Sequence, residues 1–72
     1  MLRYVVSNLG PETSQANQDK LIAAFQSVKG VKDVALVPAR KEVTFGINGP
    51  EPKVKVLKEA CQQAGFTLGN RL

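Results

Sequence analysis

Apolar and polar residues along the chain divide into six blocks of two different periods. Residues 2–9 are rich in Tyr and Val and are stopped by Gly10-Pro11, the make-up of a β-strand closed by a turn. Over residues 13–28 the apolar side chains Leu21, Ile22, Phe25 and Val28 fall along one helical stripe. Lys29-Gly30-Val31 ends that helix, with Gly30 suited to the left-handed C′ position and Val31 to folding back on the last turn. Val31, Val34 and Leu36, then Val43, Phe45 and Ile47, mostly alternate with other residues across Pro38-Ala39-Arg40-Lys41, which predicts a hairpin with one buried face. Residues 48–52 break the chain. Beyond them Val54, Leu57, Cys61 and Ala64 recur at helical spacing, with Lys53, Lys55, Lys58, Glu59 and Gln62 turned outward. Ala64-Gly65-Phe66 closes this second helix, and Thr67-Leu68 leaves room for a short last strand.

The predicted order is strand, helix, strand, strand, helix, strand, and the halves echo each other. Gly30 matches Gly65, Val31 matches Phe66 and Ile22 matches Leu57 at an offset of about 35 residues, the length of one strand-helix-strand unit. Two such units with right-handed crossovers interleave into a four-stranded antiparallel sheet with both helices on one face. The expectation is an α+β, ferredoxin-like βαββαβ sandwich formed by a single domain over residues 1–72.

Composition narrows the chemistry. The 72 residues hold ten Lys or Arg, six Asp or Glu, one Cys and no His, for a net charge of +4. A lone Cys excludes an intramolecular disulfide, and without His neither the common zinc finger nor a His-based nucleophilic triad can be assembled. The six carboxylates form no acid-base motif, and no glycine-rich phosphate loop follows the first strand, so no enzyme activity is expected. Gly46, inside the third strand, marks a bulge or a close backbone approach. No apolar stretch is long enough for a signal peptide or a membrane span, which points to a reduced, cytoplasmic setting.

The ordered set Gly30-Val31-x-x-Val34-x-Leu36, Val43-x-Phe45-x-Ile47 and Leu57-x-x-Ala60-Cys61-x-x-Ala64-Gly65-Phe66 resembles the heavy-metal-associated domain over about residues 12–68. That family contains small copper chaperones and the N-terminal domains of soft-metal transporting ATPases. Its loop after the first strand carries Gly-Met-x-Cys-x-x-Cys, whose thiolates bind Cu(I) or Zn(II). Counted back from Gly30-Val31, the two ligand positions fall here on Ser14 and Asn17, and the Met position on Glu12. An alcohol and a carboxamide cannot replace soft, deprotonated sulfur. The resemblance therefore implies the scaffold without its metal chemistry: a binding or protein-interaction module, with copper or zinc held only if the family activity persists by another route.

By that analogy a protein partner docks at Glu12, Thr13, Ser14, Asn17, Lys20, Gly65 and Phe66. Two alternatives stand beside it. One is residual soft-metal binding or transfer through Cys61 or through groups shared between molecules, although Cys61 falls on the apolar stripe, where a buried thiol acts as a small hydrophobe. Oxygen ligation of a hard ion by Glu12, Ser14, Asn17 and Asp19 matches no ion-binding loop, and capping explains the same residues. The other is weak nucleic-acid binding through the dispersed basic surface, which would fade as salt rises. Tyr4 and Phe45 lie on the strands that carry stacking aromatics in RNA-recognition modules, but Phe45 shares its face with Val43 and Ile47 and so belongs under the helices.

Overall fold

A computed structural model describes residues 1–72. The elements are β1 (Leu2–Val6), α1 (Gln15–Gln26), β2 (Val31–Val37), β3 (Glu42–Ile47), α2 (Val54–Gln63) and β4 (Leu68–Arg71), with one 3-10 turn at Pro38–Arg40. The strands form a single antiparallel sheet in the order β2-β3-β1-β4. Each helix thus bridges two strands separated by a third. This is the ferredoxin-like βαββαβ arrangement expected from the periodicities.

The core lies between sheet and helices. Tyr4 and Val6 of β1, Val43 and Phe45 of β3 and Leu68 of β4 face Leu21 and Phe25 of α1 and Leu57, Ala60 and Cys61 of α2, with Leu9 and Phe66 closing one end. Phe45 is the centre of an aromatic group. Its ring stacks on Tyr4 at 5.9 Å between centroids and 8° between planes, and meets Phe25 tilted at 5.5 Å and 59°. Such pairs contribute about 0.5–1.5 kcal/mol each beyond their buried area. Glu42, Thr44 and Gly46 of β3 alternate with these residues and so face away from the helices. Glu42 sits there between Val5 and Val37, its cross-strand partners, with Arg3 Nη1 3.9 Å from its carboxylate.

Three boundaries and the burial of Val54 differ from the sequence expectation. β1 ends at Val6 rather than residue 9, because Ser7-Asn8 turns the chain and Leu9 N–H bonds back to the Val6 carbonyl, dropping Leu9 into the core. α1 ends earlier than predicted, at Ser27, whose N–H reaches Ala23 O and whose hydroxyl donates to Ala24 O at 2.7 Å. Gly30 is left-handed (φ 91°) but lies beyond the cap; it shapes the entry to β2 instead of closing the helix. Only Gly65 (φ 83°) occupies a true C′ position: its N–H bonds Gln62 O and the Phe66 N–H bonds Cys61 O, both bonds of the Schellman closure. Val54 starts α2 but is 46 % exposed, since it borders the open space between α2 and β4 rather than the core. β4 runs to Arg71, longer than the two residues expected.

Two bulges shape the sheet. Between the pairs Lys32↔Gly46 and Ala35↔Thr44, β2 spends one residue more than β3, and Asp33 takes the left-handed conformation (φ 53°). The irregularity predicted at Gly46 is therefore carried by β2, and the Lys32 side chain lies over Gly46, where an added Cβ would meet its methylenes at 3.4 Å. Between Val6↔Leu68 and Tyr4↔Arg71, β4 carries the extra residue.

Candidate functional site

The residues singled out at the strand-helix junction converge on one end of the molecule. After β1 the chain turns at Ser7-Asn8, buries Leu9 and makes a tight knot at Gly10: Gly10 N–H donates to Thr13 Oγ1 and Thr13 N–H to Gly10 O, both at 3.0 Å. The Glu12 side chain folds over Gly10. A Cβ there would lie 2.6 Å from the Glu12 carboxylate. Ser14 then caps α1 in extended conformation, its Oγ accepting the Asn17 N–H at 3.2 Å, while Gln18 Nε2 ties back to Thr13 O at 2.9 Å.

The turn between α2 and β4 meets this loop from the other half of the chain. Asn8 joins them with both ends of its amide: Nδ2 donates to Gly65 O at 3.0 Å and Oδ1 accepts the Thr67 N–H at 2.9 Å. Ser7 N–H adds a bond to Thr67 O at 2.9 Å. Together the loop and the turn wall an open depression of about 500 Å³ lined by Asn8, Glu12, Thr13, Ser14, Asn17, Ala64, Gly65 and Phe66.

No protein-family model matches the chain, and no curated protein matches it either.

Six of the seven predicted docking residues thus share one depression, and Lys20, a turn further along α1, does not line it. Phe66 is 6 % exposed and belongs to the core, so it supplies a wall rather than a protruding anchor. Asn8 and Ala64 join the lining without having been singled out. Asn8 bridges 57 and 59 residues, a contact with no local sequence signal.

The depression is neutral but for Glu12 and contains no sulfur. Ser14 Oγ spends a lone pair on the helix cap, and the Asn17 carboxamide is exposed. Cys61, in the last turn of α2, is fully buried, and burial pushes its thiol from 9.0 up to about 12, away from the thiolate that a soft metal requires. No group of three or more Cys, Asp or Glu side chains is placed to hold a metal ion. The sheet face away from the helices offers no aromatic ring for stacking on bases, because Tyr4, Phe25, Phe45 and Phe66 are all in the core. No helix is long and apolar enough to cross a membrane.

Proposed function

We propose that this chain is a non-catalytic interaction module built like a heavy-metal-associated domain, which docks a protein partner through the end where the β1–α1 loop meets the α2–β4 turn and carries no thiolate pair for soft-metal exchange. One observation carries the reading. Ser14 and Asn17, the residues at the ligand positions of the family it resembles, lie one helical turn apart on the rim of an open depression whose other wall is the Gly65-Phe66 turn. A site of that shape recognises a surface. With two neutral polar groups in place of sulfur, what it offers is hydrogen bonding around a single carboxylate, Glu12.

The test has a metal arm and a docking arm. Titration of the reduced chain with Cu(I) or Zn(II) should show no stoichiometric binding, whereas Ser14→Cys combined with Asn17→Cys should create a one-to-one Cu(I) site on the unchanged fold. Stoichiometric binding by the unaltered chain, or a folded double variant blind to Cu(I), overturns the reading. In the docking arm, a photoreactive side chain at position 17 should capture a discrete partner in the source cells that one at position 29, at the opposite end of α1, does not. Equal capture at both positions removes the docking assignment.

A further inference from the structure

The opposite end of α2 carries a second feature, independent of the docking reading. The helix begins at Lys53 without a side-chain cap and with no acidic residue in its first turn. The Val56 and Leu57 N–H groups bond Lys53 O, while those of Val54 and Lys55 have no protein acceptor. Beside Val54 lies a cavity of about 450 Å³ between α2 and β4, and Lys53, Lys58 and Arg71 all line it.

Tyr4 shows that the cavity is more than a basic surface. Its side chain is 97 % buried by the core and lines this cavity, yet its hydroxyl bonds no protein group. No side-chain oxygen or nitrogen of the chain is both enclosed and unpartnered, so the hydroxyl meets open space, and the open space beside it is the cavity. The β4 bulge has the same target. One extra residue between Leu68 and Arg71 places Arg71 directly opposite Tyr4, on the face that β4 would otherwise turn away. Arg71 is held there by a weak ion pair with Glu51 at 3.3 Å, both side chains about half exposed.

We infer that this cavity binds the phosphate group of a small soluble phosphate monoester. The free Val54 N–H at the helix start and the Tyr4 hydroxyl supply neutral donors, and Lys53, Lys58 and Arg71 supply charge for a group carrying nearly two negative charges at pH 7. Glu51 is the resident competitor that the phosphate displaces from Arg71. Val54 and Leu68 form an apolar wall for the organic remainder.

Inorganic phosphate titrated into the isotope-labelled chain at low ionic strength, against chloride at matched ionic strength, is the test. Saturable amide shifts should centre on Val54, Lys55, Asn70 and Arg71. Tyr4→Phe, which keeps the ring on Phe45 and removes only the hydroxyl, should weaken binding about fivefold. Glu51→Gln should tighten it about two- to fivefold by freeing Arg71. Shifts spread equally over Lys20, Lys41 and the other basic residues, or the two variants titrating like the parent, overturn the inference. So does binding to phosphatidylcholine vesicles carrying phosphatidic acid without a response to inorganic phosphate.

Discussion

Raising the pH from 7 to 10 should cost the folded chain stability through Cys61 alone by an amount that can be worked out. The unfolded thiol, with a pKa of 9.0, is mostly ionised at pH 10, whereas the buried thiol, pushed up to about 12 by desolvation, stays protonated. A folded-state pKa above the unfolded one contributes stability that is fully present below pH 9 and is lost as pH rises toward 12. At pH 10 the loss is RT ln 11, about 1.4 kcal/mol, and across the whole window about 4 kcal/mol. Cys61→Ala removes the titration at the cost of a small cavity, roughly 1 kcal/mol at pH 7. Urea unfolding of both chains at the two pH values, followed by circular dichroism under reducing conditions, isolates the effect from the lysines and Tyr4, which both chains share. The parent should be the more stable at pH 7 and lose its lead at pH 10. An unchanged difference between the two chains would refute the argument, and with it the reason for denying Cys61 a place as a soft-metal ligand in the folded state.

Three further outcomes follow from the packing. Asn8→Ala should destabilise by about 1–2 kcal/mol, since two hydrogen bonds across the tip are lost at an exposed site, and amide exchange of Thr67 should quicken selectively. Gly30→Ala should cost more than Gly65→Ala, although both residues are left-handed, because the added methyl meets Pro50 O at 3.0 Å at position 30 and nothing within 4 Å at position 65; thermal unfolding of the pair checks the order. Phe45→Ala should cost about 3–5 kcal/mol, enough to remove much of the stability of a 72-residue chain, whereas Val5→Ala on the far sheet face should cost under about 1 kcal/mol by the same melt.

The sandwich was legible because its evidence is local and periodic. The stripes on α1 and α2 and the alternation in β3 each report the buried face of one element, and burying those faces together leaves few topologies. What escaped was non-local or depended on where an element sits. Val54 has the spacing of a core residue, but spacing does not say that it borders the open space between α2 and β4. The three-residue step from Val31 to Val34 is the trace of the β2 bulge, since both face the core side only if one residue is unpaired between them; strict alternation has no place for that residue. In the candidate site, Ser14 and Asn17 were visible through their spacing from Gly30-Val31 in the resembled pattern, whereas Asn8 acts across 57 residues and Arg71 reaches Tyr4 only because β4 bulges.

The near-repeat of the chain gives the two ends of the sheet equivalent loops with different linings. Each half's post-strand loop clamps the glycine that follows the other half's helix. Asn8 Nδ2 holds Gly65 O at 3.0 Å, and the backbone N–H of Asn48 holds Gly30 O at 2.7 Å. The same device therefore stands at opposite ends of the sheet, but it is filled differently. Around Gly30 the loop is Asn48-Gly49-Pro50-Glu51-Pro52, and the Pro50 carbonyl lies against the glycine at the distance where even a methyl would collide. Two prolines also fix that loop's backbone in the free state. Around Gly65 the space stays open, bounded by the polar first turn of α1 with Ser14 and Asn17. Both ends are open, but their linings differ: Pro50 and Pro52 stand between Lys29 and Lys53 at the Gly30 end, whereas exposed neutral polar side chains surround Glu12 at the Gly65 end, and it is this second lining that fits the hydrogen-bonded docking proposed at Ser14, Asn17 and Gly65.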